Sequence, residues 1–483
     1  MKKKNFKNIL EIILLITIII FISKKNYYYF YTISIKNILN NENIDLFYKV
    51  PVDENKECKN LDPMKLFEDR MNKKNMLCKS RNSIHICYLN KNNYFSIKDG
   101  VICKMKDFIL DPLKWKDDGY IYKGPVNNKT RGCPLIDKGF FNMQCNVMKE
   151  FKGYNFFYNK YFEAWNYYNK NNFSKNEEEL APGKTILFIS RNQDSPNMFW
   201  GGSAFIDCLS LIYYFKLNPE KIIIVFLESM KINDDPFYYL YKNIISRGGT
   251  PIHVRNLKKK YHISSAFHVS LNWDSASYNE GTISNCKYQS KSFYFLNKII
   301  DKYLNITKFI EPIYYNKKIY YYPKSVTDPN SPKYTKYVTF QWRKVWPEGR
   351  KGQTRILGNA TQLIDKLASN LPKNILVRLV DTAQLNISEQ ISIMKKTDYF
   401  IGVHGAGLFL SIFMPIKSII NEISFGKKTT NLIKMNKLSG HISYSDVINA
   451  NLKNISDNEY IFFDINNLTI TIIEHMRTNN FFN

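Results

Sequence analysis

The chain is short of acidic side chains. Its 483 residues include 42 Asp and Glu against 69 Lys and Arg, which gives a formal net charge of +27. It also contains no Asp-x-Asp pair, the short acidic motif that commonly holds a divalent metal on a diphosphate. A diphosphate site here would use positive side chains and backbone amides instead, unless scattered carboxylates assemble a metal site in the fold. We therefore predict that no metal or other cofactor is required.

The positive charge lacks the clustering typical of a surface that binds nucleic acid. Lysines occur as singles and short runs such as Lys258-Lys259-Lys260. A solvated basic surface accounts for this pattern better than a row of phosphate contacts, which remains the alternative and would give salt-dependent binding to random DNA. We predict no nucleic-acid partner.

A repeat of solenoid length is also missing from the sequence.

The N-terminus has no uninterrupted apolar run as long as the roughly 20 residues that span a bilayer. Its run over residues 9–22 is interrupted by Glu11 and Thr17 and has lysines on both sides. Because no small-x-small cleavage site follows, we predict an uncleaved signal-anchor within residues 1–25 rather than a removed signal peptide. More positive charge precedes the run than follows it, so the rest of the chain is expected to be luminal.

The eight cysteines lack the tight paired spacing of a zinc site. Six of them crowd one segment, and an even number of cysteines in a luminal chain favours disulfides. We therefore predict a stem and a disulfide-bearing cap over residues 26–180. The six are Cys58, Cys78, Cys87, Cys103, Cys133 and Cys145.

Beyond residue 180, apolar runs of strand length alternate with helical patterns, which is typical of parallel α/β sheets. Two such series are separated by a stretch rich in Tyr, Lys and Pro at residues 314–332. We predict an α/β fold with two facing Rossmann-type domains, residues 181–325 and 326–483. The predicted strands are 185–190, 222–227, 252–254, 337–342, 375–380, 399–403 and 418–423, and the predicted helices are 204–215, 360–370, 388–396 and 408–413.

The strongest local signal is an apolar strand that leads directly into His404-Gly405-Ala406-Gly407 and then into an apolar helical pattern. Glycines let the backbone approach a phosphate, and the amides and dipole of a helix N-terminus attract anions. The loop therefore predicts an anion site, where His404 can donate to a phosphate oxygen or take a proton. Tight packing of helix on strand is the alternative for the glycines. A purely structural hydrogen bond is the alternative for His404.

Three further charged residues are candidates for the same site, and Glu422 is predicted to lie at the same edge of the sheet. Arg343 ends one strand and Arg355 opens the next apolar stretch, and arginines there can clamp a diphosphate. Glu422 ends a later strand, where a carboxylate can accept hydrogen bonds from a ribose. An N-cap or surface role is the alternative for Glu422.

These residues occur in ordered blocks that resemble glycosyltransferase family 61. The most specific block is residues 398–408, in which an acidic residue stands six positions ahead of His404. The other blocks follow in the family's order: Gln341-Trp342-Arg343, Arg355-Ile356-Leu357-Gly358-Asn359, Leu379-Val380-Asp381, Phe413-Met414-Pro415 and residues 420–423 with Glu422.

The resemblance implies an inverting transferase of GT-B architecture in the endoplasmic reticulum or Golgi, here anchored as a single-pass type II membrane protein. Its substrates would be a UDP-sugar, usually carrying GlcNAc or xylose, and a glycoprotein or glycan acceptor. Donor-site residues are implied at Arg343, Arg355, His404, Gly405, Gly407 and Glu422, with Ala406 inside the same loop.

The general base is less defined. Members of the family commonly carry Asn-x-x-His followed by an acidic residue, whereas this chain has Asn197-Met198-Phe199-Trp200-Gly201-Gly202. Asp207 and Asp194 are the candidate bases, and His404 is a third catalytic candidate. A polar helix face is the alternative for Asp207. The missing histidine also motivates a second hypothesis, a catalytically degenerate, membrane-anchored member that binds a glycan or a partner.

Overall fold

The computed structural model describes the chain from Cys58 to Phe482 with gaps, and Val52–Asn483 forms one compact unit. The predicted signal-anchor lies outside the described residues. Among the helices of the described part, none is long and apolar enough to cross a membrane. The described residues are 58, 65, 71–72, 74–80, 83–88, 101–116, 121–122, 131–132, 135–145, 147–148, 164–168, 177–191, 198–227, 236–271, 286, 288–304, 319–322, 326, 328–342, 356–424, 431–447, 450–455 and 458–482.

The first half of the chain is mainly strands. They are β1 (Lys74–Lys79), β2 (Ile84–Tyr88), β3 (Val101–Leu110), β4 (Trp115–Lys116), β5 (Ile121–Tyr122), β6 (Arg131–Gly132), β7 (Leu135–Ile136), β8 (Phe141–Gln144), β9 (Val147–Met148), β10 (Trp165–Tyr168), β11 (Thr185–Arg191), β12 (Ile222–Phe226), β13 (Ile252–His253) and β14 (Tyr261–Leu271). The longer helices are α1 (Met198–Tyr214) and α2 (Lys291–Leu304), and a short helical segment at Tyr238–Leu240 continues as a π-helical turn at Tyr241–Ile245.

The first sheet has a parallel centre and an antiparallel flank, in the order β13-β12-β11-β14-β3-β2-β1-β9. Every residue of β12 is buried, as expected for a parallel strand covered on both faces. Strand β14 joins the two parts because it runs parallel to β11 and antiparallel to β3. Strands of the predicted cap and of the predicted acceptor domain therefore lie in one sheet. The domain boundary at residue 180 stays a prediction.

Disulfides staple the antiparallel flank, as predicted. The described residues form Cys78–Cys145, which links β1 to the end of β8, and Cys87–Cys103, which links β2 to β3. Cys58 pairs with Cys286, far beyond the cysteine-rich segment. Cys208 is buried on α1 as a thiol. The remaining cysteine of the predicted cap, Cys133, lies outside the described residues.

The second half of the chain forms a separate six-stranded sheet, ordered β15-β18-β16-β19-β20-β21 and parallel except for β15 at the edge. A smaller sheet has the order β17-β23-β22. The strands are β15 (Ile319–Tyr322), β16 (Lys336–Gln341), β17 (Ile356–Leu357), β18 (Ile375–Val380), β19 (Tyr399–Val403), β20 (Ile419–Ser424), β21 (Ile442–Val447), β22 (Ala450–Ile455) and β23 (Asn458–Phe463). The helices are α3 (Ala360–Ser369), α4 (Ile387–Lys395), a 3₁₀ helix at Ala406–Phe413, α5 (Asn431–Leu438) and α6 (Ile465–Thr478).

Helix α2 connects the two halves. Asn297 Nδ2 donates to the carbonyl of Ile412 at 2.9 Å, and Asp301 pairs with Lys395 of α4 at 3.0 Å. Burial lowers the pKa of Lys395, and the attraction of Asp301 opposes this shift. The first half is thus tied to α4, which follows β18, and to the 3₁₀ helix, which follows β19.

The structure confirms the predicted α/β class. Strands β18 and β19 have the bounds predicted, and β20 is displaced by one residue from the prediction. The predicted helix at 408–413 is a 3₁₀ helix that begins at Ala406. The arrangement of the two halves as a GT-B fold stays a prediction.

Candidate functional site

The strand order of the second sheet reverses between β16 and β19. From β16 the chain moves to β18 on one side and then crosses to β19 on the other. Open α/β sheets bind ligands outside the carboxyl ends of the strands at such a point. Strand β16 ends at Gln341 and β19 at Val403, which places the loop of residues 404–407 at this position.

The loop presents backbone amides at the start of a helix. Gly405 is extended, with φ 166° and ψ 170°, and the 3₁₀ helix starts at Ala406. The first helical hydrogen bond runs from Leu408 N to Gly405 O at 3.1 Å. The amides of Gly405, Ala406 and Gly407 therefore precede the helical ladder, and all three residues are half-buried rather than enclosed. Such amides are suited to an anion.

The glycines of this region are also required by packing. A Cβ at Gly407 would lie 2.0 Å from Gln341 Nε2, and a Cβ at Gly402 would lie 2.6 Å from a Leu408 methyl group. Gln341 is held in this position by a 3.0 Å hydrogen bond from its Nε2 to Thr382 Oγ1. The glycines therefore do serve tight packing, which was the alternative to an anion site. The two roles are compatible.

His404 lies on a buried carboxylate. Its Nδ1 forms a hydrogen bond with Glu422 Oε1. The backbone fixes the two residues, because β19 and β20 pair Gly402 with Glu422 and His404 N donates to Ile423 O at 2.7 Å. Glu422 therefore lies at the predicted edge of the sheet. Its contact with His404 was not predicted, and its role toward a ribose stays a prediction.

A hydroxyl on the neighbouring strand was missed by the sequence reasoning. Ser445 of β21 is the register partner of Glu422, so the two residues occupy the same face of the sheet. The Ser445 Oγ is buried. The serines at alternate positions in Ser443-Tyr444-Ser445 are the only signal in the sequence that β21 carries hydroxyl groups on this face.

Helix α1 of the first half packs directly on the 3₁₀ helix of the loop. A Cβ at Gly202 would lie 2.1 Å from the Phe409 ring, and Phe409 also contacts Phe237 edge-on with centroids 6.0 Å apart. Gly202 stands in the segment where the family pattern has its histidine, and here it admits an aromatic ring from the other half. Asp207 lies further along α1 and has no exposed surface.

Gly202→Ala is expected to lower the free energy of unfolding by about 1 to 3 kcal/mol, because the added methyl group overpacks the contact with Phe409. In an unhindered helix the same change would stabilise by about 0.8 to 1 kcal/mol, so the sign distinguishes the two cases. Urea unfolding measures the change. Phe409→Leu provides room, and the double variant should lose less than the sum of the single variants; additive losses would contradict the contact.

The remaining site predictions lie outside the described residues. These are Arg343, Arg355 and Asp194, and their roles stay predictions. Among the described residues, one group of potential metal ligands occurs, His85 with Cys87 and Cys103. The two sulfurs of that group form a disulfide, and the group lies in the first sheet, not at the loop.

In a comparison with protein-family models, residues 202–420 match the model described as Glycosyltransferase 61. The matched range begins at the glycine that packs on Phe409, contains Asp207 and the loop of residues 404–407, and ends two residues before Glu422. A comparison with curated proteins finds no match.

Proposed function

Because residues 202–420 match the model of glycosyltransferase family 61, we propose that this chain is a member of that family and transfers a sugar from a UDP-sugar to a glycoprotein or glycan, with inversion at the anomeric carbon. The observation that carries the proposal is the loop of residues 404–407 at the switch point, with His404 beside three amides at a helix start. These groups would bind the diphosphate, and GlcNAc or xylose is the sugar proposed. Arg343 and Arg355 would neutralise the negative charge that develops on the departing nucleotide.

The proposed setting is the lumen of the endoplasmic reticulum or Golgi. Disulfides persist in oxidising compartments, and the described residues contain three of them. We further propose that residues 1–25 hold the chain as a single-pass type II membrane protein and that the two halves act as the acceptor and donor domains of a GT-B fold.

The proposed reaction needs a base for the acceptor hydroxyl and no metal ion. Asp207 and Asp194 are the candidate bases, and variants with Asn at each position would identify the one required. Metal independence rests on the missing Asp-x-Asp pair and on the amides that replace it. Transfer should therefore persist in excess chelator, and loss of transfer that Mn²⁺ restores would contradict this part of the proposal.

The deciding experiment is a donor screen on the purified full-length chain in detergent. We expect UDP binding by calorimetry and transfer from UDP-GlcNAc or UDP-xylose to a glycan and glycoprotein array. Neither binding nor turnover with any UDP-sugar would exclude the proposal.

A second candidate is a catalytically degenerate member that binds a glycan or a partner. The observation that favours it is the segment Asn197-Met198-Phe199-Trp200, which has Trp200 where the family pattern has a histidine. UDP binding without transfer to any acceptor would favour this candidate over the transferase.

His404→Ala and Arg343→Ala are each expected to cost about 2 to 4 kcal/mol of transition-state stabilisation, because each removes a positively placed donor from the diphosphate. The measurement is kcat/KM for the donor found in the screen. His262→Ala and Arg477→Ala serve as matched controls, since both residues lie away from the loop, on β14 and α6. If His404→Ala has the same kcat/KM as the controls, the loop is not part of the donor site.

A further inference from the structure

The hydrogen bond between His404 and Glu422 assigns a role to the carboxylate. We propose that Glu422 is a positioning residue: it holds the His404 ring through Nδ1, and the ring, not the carboxylate, contacts the diphosphate of the donor. This inference rests on the proposed function, and it replaces a ribose contact by Glu422 with an indirect action through His404.

Burial separates the roles of the two side chains. Glu422 has no exposed surface, whereas about a third of the His404 side chain is exposed, 34%. Because Nδ1 is turned to the buried carboxylate, a donor would approach the ring from the side that carries Nε2. It would therefore meet the imidazole before it could reach Glu422.

The backbone makes the pair rigid. Glu422 lies within β20, which has β19 on one side and β21 on the other, so it cannot move without breaking ladder hydrogen bonds. His404 N is itself bonded to Ile423 O at 2.7 Å. Both partners are thus fixed to one pair of strands, and the ring is held in one orientation next to the amide of Gly405. Carboxylates orient histidines in this way in many catalytic sites.

Charge gives the same assignment. A buried carboxylate alone would repel a diphosphate and would be costly to leave without a counter-charge. In the imidazolium form both ring nitrogens donate, Nδ1 to Glu422 and Nε2 to a diphosphate oxygen. The pair then carries no net charge, and the amides of Gly405, Ala406 and Gly407 remain available for the anion. Charge-assisted hydrogen bonds of this kind are the stronger ones.

The test is a double-mutant cycle with UDP affinity, measured by calorimetry, as the readout. H404A and E422A are each expected to weaken UDP binding about 30-fold, which corresponds to about 2 kcal/mol at 1.4 kcal/mol per factor of ten. The double variant H404A/E422A should bind UDP as H404A does, because Glu422 acts only through the ring. Independent losses that multiply in the double variant would overturn the proposal, as would wild-type affinity in E422A.

A conservative variant and a spectroscopic measurement complete the test. E422Q keeps an oxygen that can accept from Nδ1, so it should retain more UDP affinity than E422A. In the wild-type chain, NMR with ¹⁵N-labelled histidine should show a protonated Nδ1 on His404, assigned by its loss in H404N. An unprotonated Nδ1 would overturn the proposal even where E422A does not fold.

The controls separate this inference from the proposed function. His262 and Asp107 form a second imidazole–carboxylate pair, Nε2 to Oδ1 at 3.1 Å, in the first sheet. H262A and D107N should leave UDP affinity unchanged. If the wild-type chain binds no UDP, the proposed function fails while the NMR result still decides the pairing. If UDP binds and the cycle is additive, the function stands and the positioning role fails.

Discussion

Arg378→Ala is expected to lower the free energy of unfolding by about 3 to 5 kcal/mol. Arg378 has no exposed surface although it is charged. Its guanidinium donates to Thr339 Oγ1 at 2.8 and 3.1 Å and to Thr397 Oγ1 at 2.9 Å. It also lies over the Tyr337 ring at 4.9 Å. Truncation would remove these bonds and open a cavity beside β16 and β18, and urea unfolding at neutral pH would measure the loss.

Two variants separate the causes of that loss. Arg378→Met keeps much of the volume without the hydrogen bonds, so its cost reports the polar contacts. Lys373→Ala removes an exposed cation just before the same strand and should change stability by no more than about 0.5 kcal/mol. A loss below about 1 kcal/mol for Arg378→Ala would contradict the account, because such small effects are those of surface positions.

Four of the five parallel strands of the second sheet, β16, β18, β19 and β20, could be predicted from the sequence to within a residue, whereas β21 was missed. Strands β18 and β19 are buried at every position, so each is an apolar run with polar residues at its ends, and only Arg378 interrupts the run of β18. A parallel strand that is covered on both faces needs apolar side chains at nearly every position. The single charge within these runs, Arg378, could not be interpreted, because its partners Thr339 and Thr397 belong to distant segments.

The antiparallel flank was not predicted as part of a sheet, although one signal for it was present. In β3, Cys103 and Met105 are buried, while Lys104 and Lys106 are not, which is the alternation of a half-covered strand. Its pairing with β14 could not be predicted, since two strands so far apart in sequence share no local pattern. The predicted separation of cap and acceptor domain is therefore crossed by the β3–β14 ladder.

The site was predicted in position but not in its contacts. The order of the strands brings the loop of residues 404–407 and Glu422 to one edge, as strand ends alone suggested. The sequence could not show that Glu422 contacts His404 or that Gly407 makes room for Gln341. Both depend on the register between strands, which is set by the whole sheet.

Stability of the folded chain is expected to fall steeply as pH drops below 6.5, because histidines are buried in both halves. Burial, with repulsion from His268, lowers the pKa of His85 to about 3. Burial alone lowers the pKa of His268 to about 3. Burial also lowers the pKa of His441 to about 4, against the hydrogen bonds it makes to the Ser411 and Pro415 backbone. Between these values and about 6.5 the unfolded chain binds protons that the folded chain does not.

The sign and size of this acid effect follow from linkage. Each of His85, His268 and His441 contributes stability that is complete above pH 6.5 and is lost as pH falls toward its folded pKa, at about 1.4 kcal/mol per pH unit. Together they would remove about 4 kcal/mol per unit, enough to unfold a domain of ordinary stability between about pH 3 and 5. Urea unfolding from pH 7.5 to 5 reports on the buried histidines and on the half-buried His475, whose pKa is also lowered by burial, because ordinary carboxyl groups titrate below about 4.5. His268→Leu should flatten the slope by about 1.4 kcal/mol per unit without changing it above pH 7. A urea midpoint independent of pH in this window would mean that these imidazoles reach water and protons without unfolding.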